Sequence, residues 1–330
     1  MIHLVVPGLL WPKDAIAELT RGLDLPALRT LLGRARCVRR PAQPAEHWLC
    51  EVFGVSGAAP PIGALRLLGE GLDPGSDTWL CVDPVHLRIA RDTVRIDAAG
   101  PRLDAEQAQR LAAALNAELA EFGEFLAPHP RRWYLRAKHA PHLATPPPSA
   151  IAGRTLAPFL PQGDAARHWR RLINEAQVLL HNHPLDGTQE EDAPANGLWP
   201  WGAGRLPAAA CAPAPRVFAD HPLARGLARL AAVPVLPVPD RYEGAVAPAL
   251  TFLETLDEAA QRLDEAAWRD GLARLETDWF APLLAALKAR RLQRLRLTAL
   301  GDDALVDVTL EAGDLWRFWL RPKTLADLLK

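Results

Sequence analysis

An α/β fold with a mostly parallel sheet flanked by helices is predicted by three features of this 330-residue chain. Short apolar runs of strand character alternate with segments of helical period along most of the length, the pattern of strands joined by helical crossovers. The opening run Ile2-His3-Leu4-Val5-Val6 is largely β-branched and apolar, and Pro7-Gly8 follows it, so it reads as a central strand with a turn at its C-terminal end. Residues 75–140 contain strand, helix and strand signals of their own. They are expected to form a small α/β lobe inserted into a core made of residues 1–74 and 141–330.

The elements follow in order. A helix is expected near Lys13–Arg21, and a second opens at Leu25-Pro26-Ala27-Leu28, with proline at a first-turn position. Pro60-Pro61 marks a loop and Leu65–Leu68 a short helix; residues 78–98 read as strand, turn and strand. Asp104 followed by Gln107 forms a capping box. Behind it Ala108, Leu111, Ala112, Leu115, Leu119 and Phe122 recur at helical spacing. Trp133-Tyr134-Leu135 resumes strand character. Residues 140–163, with Pro146-Pro147-Pro148, read as a return linker. Trp169, Leu172, Ile173, Ala176 and Leu179 then line one helical face. A helix near 222–232, a long helix over 258–289, and strands at Leu295–Thr298 and Leu305–Val308 complete the chain.

Composition removes several function classes. Lys plus Arg number 38 and Asp plus Glu 39, without the basic excess of a nucleic-acid binder, and no apolar stretch is long enough for a membrane span. The N-terminus lacks the basic region and cleavage site of a signal peptide. Cys37, Cys50, Cys81 and Cys211 are scattered and form no C-x-x-C pair, as expected of thiols in a reducing cytoplasm. Abundant Ala, Arg and Leu with few Lys point to a GC-rich bacterial origin. The expectation is a cytoplasmic protein without nucleic-acid or membrane partners.

The most distinctive stretch is Asn174-Glu-Ala-Gln-Val-Leu-Leu-His-Asn-His-Pro184, followed by Pro194-Ala-Asn-Gly-Leu-Trp-Pro-Trp-Gly-Ala-Gly-Arg-Leu-Pro207. With Leu25–Leu32 and Gly226–Ala231, this set resembles the archaeal-type cofactor-independent phosphoglycerate mutases. Trp79-Leu-Cys-Val-Asp-Pro-Val-His-Leu87 brings it closer still to an offshoot, the RpfE-type regulatory proteins. The resemblance implies an alkaline-phosphatase-like core with an inserted lobe. It also implies chemistry by a Ser or Thr nucleophile and two divalent metals held by Asp and His.

The matching positions have lost those groups. The family's Asp-Gly pair after the first strand is here Pro7-Gly8, and the nucleophile position aligns with Pro60 or Pro61, Ser56 lying several residues early. The Asp-x-x-x-His pair is Asp257-x-x-x-Gln261, and the expected Asp-His pair is Asp302-Asp303. All ten histidines lie at or before His221, so the last third supplies no imidazole. No catalytic residue, metal ligand or cofactor is therefore assigned, and the chain leans away from being an enzyme.

Ligand-binding candidates remain. Asp83 and His86, with His181 and His183 at i, i+2 spacing, offer acid and imidazoles; the blander reading is that they cap a helix end and bond loop backbone. Asn196, Trp199, Trp201, Gly202, Gly204 and Arg205 would make a ligand wall in which glycines admit an anion to backbone N–H groups and Arg205 forks onto it. The blander reading is tryptophan core anchors around a tight turn. The expected function is that of a catalytically degenerate phosphoglycerate mutase-like protein, a regulatory pseudoenzyme or one that binds an unidentified small molecule or protein. Its rivals are an active metal-dependent mutase or phosphatase with a rearranged site, and an interaction scaffold with exposed Pro- and Trp-rich surfaces.

Overall fold

The computed structural model describes all residues except 56, 58, 91–92, 140–141, 165, 183–192 and 245–247. In chain order the first elements are β1 (Ile2–Leu10), α1 (Ile16–Leu19), α2 (Pro26–Arg34), β2 (Arg36–Arg40) and α3 (Ala45–Val52). Next come α4 (Ile62–Glu70), β3 (Trp79–Val85), β4 (Leu87–Ala90), β5 (Thr93–Ile96), α5 (Ala105–Glu118), β6 (Gly123–His129), β7 (Arg132–Ala137), α6 (Pro148–Ile151), α7 (Ala166–Asn182) and β8 (Gly197–Gly204). The chain closes with β9 (Val217–Phe218), α8 (Pro222–Leu230), β10 (Val235–Leu236), β11 (Ala249–Phe252), α9 (Asp257–Arg262), α10 (Glu265–Leu275), α11 (Ala281–Lys288), β12 (Arg294–Gly301) and β13 (Leu305–Glu311).

These elements form two compact units, Met1–Phe53 with Cys211–Lys330, and Gly54–Ala210. The first holds a seven-stranded sheet in the order β10-β9-β11-β1-β12-β13-β2, parallel from β10 through β12 and antiparallel for β13 and β2. The predicted α/β class with a mostly parallel sheet is what this unit has. β1 lies near the middle of the sheet, and eight of its nine residues are buried. A strand covered on both faces has no polar face to show, which is why its sequence reads as an apolar run without alternation. Leu4 and Val6 of β1 share a core with Leu28 and Leu31 of α2, Trp268 of α10, Leu283 of α11 and Leu297 of β12.

Pro7-Gly8 does not end β1, which runs through it to Leu10 with an irregular register between Val6 and Leu10. The helix expected over 258–289 is broken once, and its second part, Glu265–Lys288, runs on with a π-turn inside it. Leu263 takes φ +54° and closes α9, and Asp264 then caps α10 by accepting a hydrogen bond from Ala267 N. Between α10 and α11 the residues Glu276–Phe280 make a π-helical turn. That turn carries Glu276 to the start of α2, where its carboxylate accepts from Ala27 N at 2.5 Å and Leu28 N at 3.0 Å. Leu25, the N-cap of α2, has no capping side chain, so a residue about 250 positions downstream satisfies its first amides.

The second unit contains a four-stranded sheet ordered β6-β7-β3-β8, each adjacent pair antiparallel, and a separate β4-β5 hairpin. The capping box at α5 forms as predicted, and Leu111 and Leu115 of that helix pack with Trp169 and Leu172 of α7 on Leu80, Val82 and Trp133 of the sheet. This unit is larger than the 75–140 lobe expected from sequence. α7 contributes to its core, β8 pairs with β3, and Gly63 of α4 lies so near the Leu80 backbone that an added Cβ would come within 2.7 Å. The proline-rich stretch belongs to it too: Thr145 Oγ1 donates to Pro200 O and Trp199 Nε1 donates to Pro146 O, strapping residues 145–146 to β8. Among the described residues no helix is long and apolar enough to cross a membrane.

Candidate functional site

Two places hold the candidate site residues: the Trp-Gly-x-Gly segment of the second unit, and the C-terminal edge of the parallel sheet in the first. The segment Gly197–Gly204 is a strand, β8, where sequence reading placed a ligand wall or tight turn. Pro200 within it disguises this. β8 is the terminal strand of the sheet's order, a place where a residue without an N–H is tolerated.

Asp83 sits beside β8 on β3 and is buried, 7 % exposed. It receives a fork from Arg66 of α4, Nη1 to Oδ2 at 2.8 Å and Nη2 to Oδ1 at 2.5 Å. Trp133 N donates to Oδ1 and Trp201 Nε1 to Oδ2, so both carboxylate oxygens are engaged twice. The Arg66 guanidinium is equally enclosed. Its Nε donates to Tyr134 Oη, and its central carbon Cζ lies over the Tyr134 and Trp201 rings, 4.8 and 5.3 Å from their centroids. Burial by itself would depress the Arg66 pKa, but Asp83, with Cys81 and Tyr134, raises it well above its ordinary value. Tyr134 Oη in turn donates to Glu70, which Arg132 also holds. Burial opposes the ionised form of Glu70, yet Arg132 keeps its pKa below the usual carboxylate range.

The other candidates in this unit are likewise committed to the protein. His86 Nδ1 lies 2.8 Å from Pro194 O. Asn196 clasps the Leu87 backbone, accepting from its N at 2.6 Å and donating to its O at 3.0 Å. Trp199 and Trp201 are buried anchors. Gly202 has φ +62°, and a Cβ there would meet Ile62 Cβ at 2.8 Å; at Gly204 it would meet Pro61 Cβ at 2.6 Å. The space these glycines leave is filled by the start of α4. Arg205 is exposed and donates to Thr78 Oγ1 at 3.3 Å. His181 is exposed at the end of α7, where its place near the helix C-terminus suits the dipole; His183 lies outside the described residues, as does Ser56. Thus Asp83 and Trp201 meet directly, His86 and Asn196 secure neighbouring backbone, and no anion cradle forms at the glycines. Sequence reasoning missed Arg66. The signal was a single cation in the apolar helix Ile-Gly-Ala-Leu-Arg-Leu-Leu-Gly and a single acid in the apolar strand that became β3, each of which needs a partner when buried.

The second place is where α/β sheets usually bind ligands, beyond the carboxyl ends of parallel strands. Asp257 begins α9, after β11, and Asp302-Asp303 follow β12. Gln261 Nε2 donates to Asp257 Oδ2 at 2.9 Å. Burial pushes the Asp257 pKa up to about 6, against the lowering effect of Gln261 and with Glu258 and Asp302 adding to the rise. Asp303 accepts from Lys13 N at 2.7 Å. At the first-strand position Pro7 has no donor atom, and Gly8 O accepts from Trp268 Nε1 at 2.7 Å. A Cβ at Gly8 would stand 2.8 Å from both Ala260 Cβ and Leu256 O, so any side chain there would require this corner to move. Among the described residues no group of three or more His, Cys, Asp or Glu is arranged to hold a metal ion.

Behind this edge, on the sheet, His3 Nε2 lies 2.8 Å from Thr298 Oγ1, which donates to Asp307 at 2.6 Å. That direction leaves Thr298 as acceptor and His3 as the neutral Nε2–H tautomer. Burial, then Arg296, lowers the His3 pKa to about 3, with Asp307 opposing.

No protein-family model matches the chain. Among curated proteins it is similar to a probable 2,3-bisphosphoglycerate-independent phosphoglycerate mutase of Geobacter sulfurreducens, 28% identical over 262 residues, covering 73% of this chain and 66% of the relative. It is also similar to the 2,3-bisphosphoglycerate-independent phosphoglycerate mutase of Methanothrix thermoacetophila, 27% identical over 199 residues, 53% of this chain and 45% of the relative. The matched region thus spans less than two thirds of either relative's length. A solved cofactor-independent phosphoglycerate mutase from Thermoplasma acidophilum superposes with a TM-score of 0.49 at 18% identity, covering 99% of this chain and 94% of the other. The homologues of this chain are phosphoglycerate mutase-like.

Proposed function

We propose that this chain, whose homologues are phosphoglycerate mutase-like, is a catalytically degenerate relative on an alkaline-phosphatase-like core that acts by binding a ligand or partner, in the manner of the RpfE-type regulatory proteins it resembles. The observation that supports this reading is the pairing of Asp257 with Gln261. A two-metal phosphoryl-transfer centre needs anionic oxygens and imidazole nitrogens directed at the same ion. Here the group opposite Asp257 is an amide whose N–H points at the carboxylate oxygen. Pro7 contributes no ligand atom, and no histidine follows His221. The residues at these positions do not fit two divalent metals. At the expected nucleophile position Pro60 and Pro61 serve the start of α4, Pro60 O accepting from Ile62 N.

The test is turnover. Purified chain given 3-phosphoglycerate and manganese is expected to form no 2-phosphoglycerate; conversion abolished by a chelator would overturn the reading. The rival, an active enzyme with a rearranged site, draws on one observation, the raised pKa of Asp257 near Asp302 at the strand ends, since perturbed carboxylates cluster at functional sites. It predicts manganese-dependent turnover that disappears in Asp257→Asn.

A further inference from the structure

Eight consecutive residues, Trp316–Lys323, are exposed, and four carry large apolar side chains: Trp316 at 69 %, Phe318 at 77 %, Trp319 at 67 % and Leu320 at 37 % exposure. Single exposed apolar residues are ordinary, but two indoles, a phenyl ring and a leucine within five positions form a patch that calls for a partner. The turn is fixed in place. Arg34 Nη2 donates to Phe318 O at 3.2 Å, Lys323 N donates to Arg29 O at 3.1 Å, and the Phe318 and Trp319 rings stand edge to face at 5.4 Å. α2 therefore presents these rings to water on a braced support.

The segment itself carries cations and no acid, and Arg317 is paired with Asp314, leaving Arg321 and Lys323 as the cations beside the rings. Residues 315–323, Leu-Trp-Arg-Phe-Trp-Leu-Arg-Pro-Lys, contain three cations and no acid, and Arg29, whose carbonyl holds Lys323 N, is also exposed. The nearest acids in sequence are engaged, Asp314 with Arg317 and Asp327 with Lys330 and Thr324. Tryptophan and phenylalanine interleaved with arginine and lysine suit the boundary between lipid headgroups and acyl chains, where rings bury their faces and cations meet phosphates.

We propose that the turn Trp316–Lys323 docks this protein reversibly on an anionic lipid bilayer. This goes beyond the reading of the strand-end site and does not depend on it. One aromatic turn with a few cations gives weak, salt-sensitive attachment.

The test uses the full chain and vesicles of phosphatidylcholine with or without phosphatidylglycerol, read by co-sedimentation and by tryptophan emission. The expected result is binding with a blue shift on phosphatidylglycerol vesicles, reversed by high salt, and none on phosphatidylcholine. The variant Trp316→Ser/Phe318→Ser/Trp319→Ser should fold, since it alters exposed side chains, and should lose binding. Arg321→Gln and Lys323→Gln should each weaken it about fivefold, from about 1 kcal/mol per cation at an anionic surface. Failure to bind phosphatidylglycerol vesicles, or binding unchanged in the triple variant, overturns the proposal. So does concentration-dependent dimerisation lost in that variant, which would assign the face to a second copy.

Discussion

The β8 region and the strand-end region treat buried charge in opposite ways. Around β8, Asp83 and Arg66 are enclosed but mutually satisfied, and every ring and glycine of the distinctive Trp-Pro-Trp-Gly-x-Gly stretch is used for packing or for bonds within the protein. At the strand ends, Asp257 is kept with a raised pKa, served by an amide and facing the field of a second carboxylate. The stretch easiest to recognise in sequence is therefore architecture, whereas the carboxylate whose pKa burial raises stands at the strand ends.

The largest test of that contrast is to cut the β8 network. Asp83→Ala or Arg66→Ala strands the remaining charge and is expected to lower unfolding free energy by about 3–5 kcal/mol, measured by denaturant titration. A paired apolar replacement, Arg66→Met/Asp83→Leu, should lose far less; if it loses as much, the network does more than balance charge.

His3 provides the next. Its folded pKa lies below its ordinary value of 6.5, at about 3, so the unfolded chain binds its proton first. Stability should be full above about pH 6.5 and fall as pH drops toward about 3. His3→Gln should flatten that slope, and an unchanged acid limb in thermal melts across this range would remove His3 from the account.

The smallest expected effect is the most telling about function. Asp257 has its pKa raised from 3.8 to about 6, so the folded state holds this proton more tightly than the unfolded one. Its contribution to stability is present below about pH 3.8 and is lost as pH rises through about 6. Asp257→Asn should therefore raise stability by about 1–3 kcal/mol at neutral pH and give little gain in acid. A variant that melts lower than the parent at pH 8 would mean that the ionised carboxylate has a favourable partner and that the two regions are less different than they look.

Much of the fold could be read in advance. β1 announced itself by an unbroken apolar run, α5 by its capping box and apolar stripe, and α7 by Trp169, Leu172 and Ile173 on one face. The misses have physical causes. β2 reads Arg-Cys-Val-Arg-Arg because it is an edge strand, where charge discourages further pairing. β8 was hidden by Pro200, and the extent of the second unit by a proline-rich stretch that looked like a linker but is strapped to β8. At the site, Asp83 was singled out without its partner, since no local pattern connects position 83 to Arg66 on a helix one element earlier. Asp257 and Gln261 could be paired in sequence because four residues apart on a helix are neighbours, and their hydrogen bond is local.

The pairing of β1 carries a lesson about the order of assembly. Its neighbours, β11 and β12, lie at Ala249–Phe252 and Arg294–Gly301, and the amides opening α2 are met by Glu276. While the polypeptide emerges from the ribosome, the N-terminal strand thus has neither flank until most of the chain has been made, whereas the contiguous stretch Gly54–Ala210 already contains its own sheet and core. Closure of the first unit is set by contacts of very long sequence separation, the slow class of folding event. A newly made chain therefore holds one of its most apolar segments unpaired for longest.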